Sequence, residues 1–137
     1  MSAIGDQRVR DAMVSDPPTL DASACAREAG EVLVRPGVKA VLVCDGGVLV
    51  GVVTRKTLVR EVVALGRDPL ETTLGLIAER PNATVDPEMP LAQAFAFLEQ
   101  SDFERVPVVE DGRLVGVLSR SSIRRRIAED GDHGPEE

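Results

Sequence analysis

The stretch RVPVVEDGRLVGVLSR, from Arg105 to Arg120, decides the fold because an earlier stretch of the same chain repeats it. The earlier copy is VLVCDGGVLVGVVTR, which runs from Val41 to Arg55. A constant offset of 65 residues aligns the two copies without a gap, and it also places TLD at Thr19–Asp21 on TVD at Thr84–Asp86. An internal repeat of this kind predicts two copies of one structural unit.

Each copy predicts the same order of elements, α-β-α-β-β-α. A short opening helix, RVRDAM or TLGLIAE, precedes a short extended piece and then an amphipathic helix. Asp21 and Asp86 are predicted to lie in the N-cap region of that second helix. Its apolar positions recur at helical spacing. In the first copy these are Cys25, Ala26, Ala29, Val32 and Leu33, and in the second they are Leu91, Ala94, Phe95 and Leu98.

The second half of each copy predicts a β-hairpin followed by a helix. The β-branched runs Val38–Cys44 and Val106–Val109 read as buried strands. DGG and EDG follow them as turns, where glycine supplies positive φ. Each returning strand ends at a hydroxyl residue, Thr54 or Ser119, which is expected to cap the final helix. In the first copy the expected apolar face of that helix is Leu58, Val59, Val62 and Val63.

Composition restricts the classes of function. The chain has 137 residues, of which 43% are hydrophobic but only 2% aromatic, all of them Phe. Nucleobase stacking on Tyr or Trp is therefore excluded, which weakens a sequence-specific RNA-binding interpretation. The formal charge is −7, and the last ten residues, AEDGDHGPEE, hold five acids and no base. That composition predicts a disordered acidic tail over residues 129–137.

Cysteine use and hydropathy predict a cytoplasmic protein. Cys25 and Cys44 have no metal-ligand spacing, so both are interpreted as small buried hydrophobic side chains in a reducing compartment. No signal peptide is recognised, and no apolar run has the length of a membrane span.

The doubled pattern, with its h-P-V-V-x-D-G-x-L-V-G-V-h-[ST]-R core, resembles the CBS domain. The whole chain is similar to a CBS pair, or Bateman module, with unit 1 at residues 8–66, unit 2 at residues 72–128 and a linker GRDPLE. The resemblance implies an α/β (α+β) fold in which the two units pack with pseudo-twofold symmetry. It also implies a homodimer.

The resemblance further implies a regulatory module without catalytic activity. CBS pairs typically bind adenosine-containing ligands, namely AMP, ADP, ATP, NAD or S-adenosylmethionine, in clefts between the two units. No cofactor is required on this interpretation, and the ligand would change packing or the surface offered to an unknown protein partner.

The residues themselves indicate an anion site at each strand–helix corner. A helix N-terminus presents free N–H groups and partial positive charge. Thr54 is followed by Arg55 and Ser119 by Arg120, and Arg105 adds a further charge. The alternative is that both hydroxyls serve only as helix caps, with the arginines in solvent.

The resemblance supplies the remaining candidate residues. The extended piece and the first hairpin strand would flank an adenine through backbone and apolar side chains. On this chain those positions are Thr19, Leu20, Ala40, Val41, Leu42, Thr84, Val85, Val106 and Pro107. In ligand-binding members the motif continues as [ST]-x-x-[DN], and the fourth side chain binds the ribose hydroxyls.

The fourth positions here are Thr57 and Ser122, so both carboxylates are missing. A charge-assisted hydrogen bond is worth about 1.5–3 kcal/mol and a neutral one about 1 kcal/mol. Ribose recognition is therefore expected to be roughly tenfold weaker at each site.

Other functions have less support in the sequence. His133 is the single histidine, and no nucleophile pattern, metal-ligand spacing or P-loop accompanies it, so no catalytic or metal residue is assigned. A CBS dimer that binds partners but no ligand is one alternative. The run RSSIRRRI, at Arg120–Ile127, makes nucleic acid a weaker one, because overall acidity opposes it.

Overall fold

The computed structural model describes residues 5–15 and 17–131. It has a mixed α/β fold that divides into two compact units. The first unit is Pro17–Asn82. The second unit joins residues 5–15 to residues 83–131, so the chain leaves the second unit and later returns to it.

The elements follow the predicted order except at the first strand of the second repeat. They are α1 (Val9–Ala12), β1 (Thr19–Asp21), α2 (Ala26–Leu33), β2 (Ala40–Asp45), β3 (Val48–Thr54), α3 (Arg55–Leu58), a π-helix (Val59–Val63), α4 (Leu74–Ile77), α5 (Leu91–Ser101), β4 (Arg105–Glu110), β5 (Arg113–Ser119) and α6 (Arg120–Gly131). In the second repeat the predicted extended piece is a single parallel bridge between Val85 and Val108.

The sheet of the first unit has β2 between its two neighbours. β1 runs parallel to β2, and β2 pairs with β3 in an antiparallel hairpin. The turn places Gly46 and Gly47 at φ values of 60° and 88°, which residues other than glycine rarely adopt. The predicted turn is therefore confirmed.

The hairpin of the second unit repeats this geometry. β4 and β5 pair antiparallel, and Asp111 and Gly112 make the turn with φ values of 53° and 82°. Each hairpin has one register shift, between Val43 and Cys44 in the first and between Val108 and Val109 in the second. The repeat therefore extends to the position of the β-bulge.

Each unit has its own core of aliphatic side chains. The first core consists of Ala26, Ala29, Leu33, Val41, Val43, Val53, Val62, Leu74 and Ile77. The second consists of Val9, Ala12, Val85, Leu91, Ala94, Leu98, Val106, Val108, Leu118 and Ile123. The predicted apolar positions of α2 and α5 are thus largely buried. Cys25 immediately precedes α2, and both cysteines are only half-buried.

The opening helices are exchanged between the repeats. α1 precedes the first repeat but belongs to the second unit, where the Val9 amide donates to the Met89 carbonyl at 2.9 Å. α4 opens the second repeat but belongs to the first unit, where the Leu74 amide donates to the Ala24 carbonyl at 2.8 Å. The spatial units therefore differ from the sequence ranges 8–66 and 72–128. A four-residue helix is not stable by itself, so the core against which it packs determines its position.

The structure corrects three local predictions. Val59 and Val63 face solvent, because the final helix of the first repeat widens into a π-helix. Asp21 and Asp86 are not N-caps; each instead accepts an amide two residues on, from Ser23 and Glu88. α6 continues through residues 129–131 of the predicted tail, and residues 132–137 lie outside the described residues.

Candidate functional site

The first strand–helix corner is a closed capping box. The Thr54 hydroxyl accepts from the Thr57 amide at 3.3 Å, and the Thr57 hydroxyl accepts from the Thr54 amide at 3.0 Å. The two hydroxyl oxygens are 3.1 Å apart. Thr57 is fully buried, whereas Thr54 is half-buried. The fourth-position hydroxyl therefore satisfies the backbone of its own helix.

The second corner has the same arrangement with serines. The Ser119 hydroxyl accepts from the Ser122 amide at 3.0 Å, and the Ser122 hydroxyl accepts from the Ser119 amide at 3.1 Å. The Ser122 hydroxyl also donates to the Ser119 carbonyl at 2.9 Å. Ser122 is only 5% exposed. Both fourth positions thus have the reciprocal bonds of a helix cap.

Arg55 lies on the carboxyl end of α2. Its guanidinium donates to the backbone carbonyl of Leu33, the last residue of that helix. The last carbonyls of a helix lack intrahelical partners and carry partial negative charge. Arg55 therefore has a partner within its own unit.

Arg120, at the equivalent position of the second repeat, lies at the end of α5. Its Nη2 is 3.6 Å from an Asp102 carboxylate oxygen, and its Nε is 3.5 Å from a Glu104 carboxylate oxygen. Nε is buried and makes no hydrogen bond, so the contact with Glu104 is an ion pair without hydrogen-bond alignment. Asp102 is the C-cap of α5. Both arginines thus serve the preceding helix of their own unit.

The adenine-flanking positions of the first repeat come together beside its corner. Ala40 lies opposite Thr54, and Leu42 lies opposite Thr19 in the parallel pair. The Leu42 amide donates to the Pro18 carbonyl at 3.1 Å. Val41 and Leu42 are buried, and Leu20 is half-buried. The structure therefore brings these predicted positions to one edge of the hairpin.

The second repeat places its candidates in the same way. Arg105 lies opposite Ser119 at the start of β4, and its side chain is exposed. The Val85 amide donates to the Pro107 carbonyl at 3.1 Å. Val85 and Val106 are buried, whereas Thr84, which immediately precedes Val85, is exposed.

Two glycines have a role that the sequence pattern alone did not assign. A Cβ on Gly51 would lie 2.8 Å from both the Ala78 Cβ and the Glu79 carbonyl oxygen. A Cβ on Gly116 would lie 2.8 Å from the Val14 carbonyl oxygen. In each unit the segment that follows the exchanged helix bridges to the returning strand at this point. The sequence does contain a signal for this role, because glycine occupies the equivalent position in both repeats.

Two arginines that a basic surface could use have partners within their units. Arg60 pairs with the Glu79 carboxylate, and the Arg126 Nε donates to the Gln7 side-chain oxygen at 2.8 Å. Arg124 and Arg125 on α6 are exposed. These pairings leave fewer bases for a nucleic-acid surface.

Within residues 5–15 and 17–131, no group of three or more His, Cys, Asp or Glu side chains is arranged to hold a metal ion. No helix in this part of the chain combines the length and apolar character needed to cross a membrane.

Comparison with known proteins identifies the family. The CBS domain model matches residues 9–64 and again residues 75–129. The A-adding tRNA nucleotidyltransferase of Aquifex aeolicus is 32% identical over 124 residues, which are 90% of this chain but only 15% of that enzyme. The CBS domain-containing protein YhcV of Bacillus subtilis is 27% identical over 111 residues, 81% of this chain and 79% of YhcV.

A solved structure extends the comparison to three dimensions. The crystal structure of CBSX2 in complex with AMP matches with a TM-score of 0.73 and 25% identity, covering 90% of this chain and 97% of that chain. The family-model matches account for most of the sequence, and they fall on the two repeats. This chain belongs to the CBS domain family and carries two CBS domains in tandem.

Proposed function

We propose that this CBS pair is a non-enzymatic sensor that binds an adenosine-containing ligand, namely AMP, ADP, ATP, NAD or S-adenosylmethionine. The observation that supports the proposal most is the CBSX2 structure, because that protein holds AMP and aligns with 90% of this chain. Placement of the ligand between the two CBS domains stays a prediction from the family.

The geometry within each unit is consistent with adenine recognition by backbone and apolar groups. Val41 and Leu42 in β2 and Val106 in β4 are buried aliphatic side chains that lie beside an extended segment. Recognition of this kind needs no aromatic side chain. The ligand would change the surface offered to a partner only if it contacts one arrangement of the protein better than another.

Affinity is expected to be modest, for a reason found at both corners. Thr57 and Ser122 stand where a ribose-binding carboxylate is expected, and their hydroxyls are bound to Thr54 and Ser119. Arg55 and Arg120 also have partners within their units. A ligand would therefore rely on contacts to adenine and on whichever polar groups it can displace.

Thermal melting against AMP, ADP, ATP, NAD, S-adenosylmethionine and inorganic polyphosphate tests the proposal. A ligand at a hundred times its dissociation constant stabilises the folded state by about 2.7 kcal/mol. At least one adenosine compound should raise the melting temperature, and polyphosphate should not reproduce the effect. No shift with any adenosine compound at millimolar concentration would overturn the proposal.

A pair of substitutions tests the account of the fourth position. Ser122→Asp restores a carboxylate and should tighten AMP binding roughly tenfold, as the difference between a charged and a neutral acceptor predicts. Ser122→Asn is the matched control, since it has a similar shape without the charge. Equal AMP affinity in both variants and the parent chain would show that this explanation is wrong.

A second candidate function is a partner-binding module that takes no small molecule. The capping boxes at Thr54 and Ser119 favour it, because their hydroxyls already accept amides of their own helices. Arg55 and Arg120 favour it too, since each already has a partner within its unit. This function predicts that none of the six compounds shifts the melting curve, while the chain still assembles with a protein partner.

The assembly and location form the last part of the proposal. As the family resemblance implies, the chain is proposed to act as a homodimer. It is also proposed to be cytoplasmic. Sedimentation velocity tests the first statement, and cell fractionation with an antibody to the chain tests the second.

A further inference from the structure

Four bases lie at one end of the first unit. They belong to the loop after α2, to the residue before β2 and to the start of α3, and this basic cluster consists of Arg35, Lys39, Arg55 and Lys56. The Val38 amide donates to the Arg35 carbonyl at 3.2 Å, so the loop turns back toward the sheet. Lys39 and Arg55 adjoin the last residue pair of the β2–β3 hairpin, at the end away from its turn. The fold thus gathers bases from three segments of the chain.

No carboxylate neutralises these charges in the part of the chain that the structure describes. Three other arginines of the first unit do have acidic partners, namely Arg27 with Glu31, Arg60 with Glu79 and Arg67 with Glu61. Arg35, Lys39 and Lys56 are exposed and form no such ion pair. Arg55 donates to the Leu33 carbonyl, which is uncharged and so leaves the positive charge of the guanidinium in place.

The second repeat has no net charge at the same place. The offset of 65 residues aligns the cluster with Gln100, Glu104, Arg120 and Ser121. Arg120 lies 3.5 Å from a Glu104 carboxylate oxygen and 3.6 Å from an Asp102 carboxylate oxygen. Since the second unit builds the same hairpin and the same cap around a neutral corner, the fold does not require the bases of the first. The cluster is therefore a feature of the surface, available for recognition.

The form of the cluster indicates what kind of anion it fits. A small-molecule site buries most of its ligand, whereas Arg35, Lys39 and Lys56 are all exposed. The first unit contains no aromatic residue on which a single-stranded base could stack. A long polyanion would extend past the cluster over a chain of net charge −7. A short acidic peptide would be held mainly by the cluster, because salt screens charges that are more than about 10 Å apart.

We propose that the basic cluster is the surface on which this chain binds a short acidic segment of a protein partner. The inference goes beyond the proposed function, since it assigns a place on the molecule and a charge to a partner that was otherwise unspecified. Opposite charges across the contact steer the encounter and select the partner. The second unit, with its neutral corner, does not offer an equivalent surface.

Fluorescence anisotropy of a labelled oligoglutamate peptide with the full chain tests this surface. The parent chain should bind the peptide, and binding should weaken as salt rises from about 20 mM to about 300 mM. Lys39→Gln/Lys56→Gln should raise the dissociation constant roughly tenfold, the loss expected for two exposed ion pairs. Arg124→Gln/Arg125→Gln is the matched control, because it removes the same charge from exposed positions of α6. That variant should bind like the parent chain.

Lys39→Glu tests the comparison with the second repeat. It places a carboxylate beside Arg55, as Glu104 lies beside Arg120, and should weaken peptide binding more than Lys39→Gln does. Circular dichroism would establish that each variant is folded.

Three results would overturn the proposal. One is a parent chain that binds oligoglutamate no better than oligoglutamine, and another is an equal loss in the two double variants. The third is tighter binding of an oligothymidylate than of oligoglutamate, lost in Lys39→Gln/Lys56→Gln, which would assign the cluster to nucleic acid. Because the adenosine compounds are tested separately by melting, each of these results leaves the proposed sensor function standing.

Discussion

The guanidinium of Arg55 donates a hydrogen bond to the backbone carbonyl of Leu33, so the residue after the first corner stabilises the end of α2. Removing it with Arg55→Met should lower the free energy of unfolding by about 1 kcal/mol, the typical net worth of one such bond. Urea unfolding measures this change. Lys56→Met is the control, and as an exposed neighbour it should change stability by less than about 0.5 kcal/mol.

The same Arg55→Met variant separates two interpretations of the arginine. If Arg55 binds a ligand phosphate, the substitution should weaken AMP binding while leaving stability unchanged. Loss of stability with unchanged AMP affinity is the result that we expect. Equal unfolding curves for Arg55→Met and Lys56→Met would contradict the role at α2.

The cap hydroxyls give a second prediction. Thr54→Ala and Ser119→Ala should each destabilise the fold by about 1 kcal/mol, because each leaves the amide three residues on without its acceptor. Thr54→Asp should recover most of the loss, since aspartate is an equally good N-cap. Failure of Thr54→Asp to recover stability would indicate that the Thr54 hydroxyl makes a contact in the folded protein that a carboxylate cannot replace.

One substitution at three glycines should have opposite effects. Gly51→Ala and Gly116→Ala each force a methyl group to 2.8 Å from backbone or side-chain atoms, and overpacking of this kind costs about 1–3 kcal/mol. Gly30→Ala meets nothing closer than 3.9 Å and should stabilise α2 by about 0.5–1 kcal/mol. Melting temperatures at one fixed protein concentration compare the three. A destabilised Gly30→Ala would contradict the open space above α2.

Cys44 gives a pH dependence with a defined sign. Burial, and secondly the Asp21 carboxylate, raise the pKa of the Cys44 thiol above its ordinary value of 9.0. The folded state therefore keeps the thiol proton to higher pH than the unfolded state does. The resulting stabilisation is present below about pH 9 and is lost as the pH rises through the raised pKa.

Melting curves between about pH 8 and pH 10.5 measure this effect around the ordinary thiol pKa. The fall in stability should be steeper for Cys25→Ser, which keeps the Cys44 thiol, than for Cys25→Ser/Cys44→Ala. Adding Asp21→Asn to Cys25→Ser should make the fall less steep. Identical slopes with and without the Cys44 thiol would refute the assignment.

Much of each unit could be predicted from local pattern. Helical spacing identified Leu91, Ala94 and Leu98, which are fully buried, and the glycine turns have the expected positive φ. The caps at Thr54 and Ser119 followed from a hydroxyl placed between a strand and a helix. The strand pairing beside each corner was also predictable, because β2 and β3, like β4 and β5, are joined by a short turn.

The partners of the site side chains were not predictable in this way. Whether Arg55 faces a ligand or the Leu33 carbonyl depends on where α2 ends relative to α3. Thr57 occupies the position at which the family resemblance implies a ribose contact, and only the structure shows that its hydroxyl is buried in the cap at Thr54. A motif fixes the residue type at a position, but the neighbours of that residue come from other parts of the chain.

The sequence by itself determined the repeat, the order of elements, the hairpin turns and the family, because each depends on residues that are close together or related by one constant offset. Only the tertiary structure decided that α1 packs with the second repeat and α4 with the first. Both are four-residue helices with too few hydrogen bonds to be stable alone, so the core that receives Val9 or Leu74 decides where each one lies.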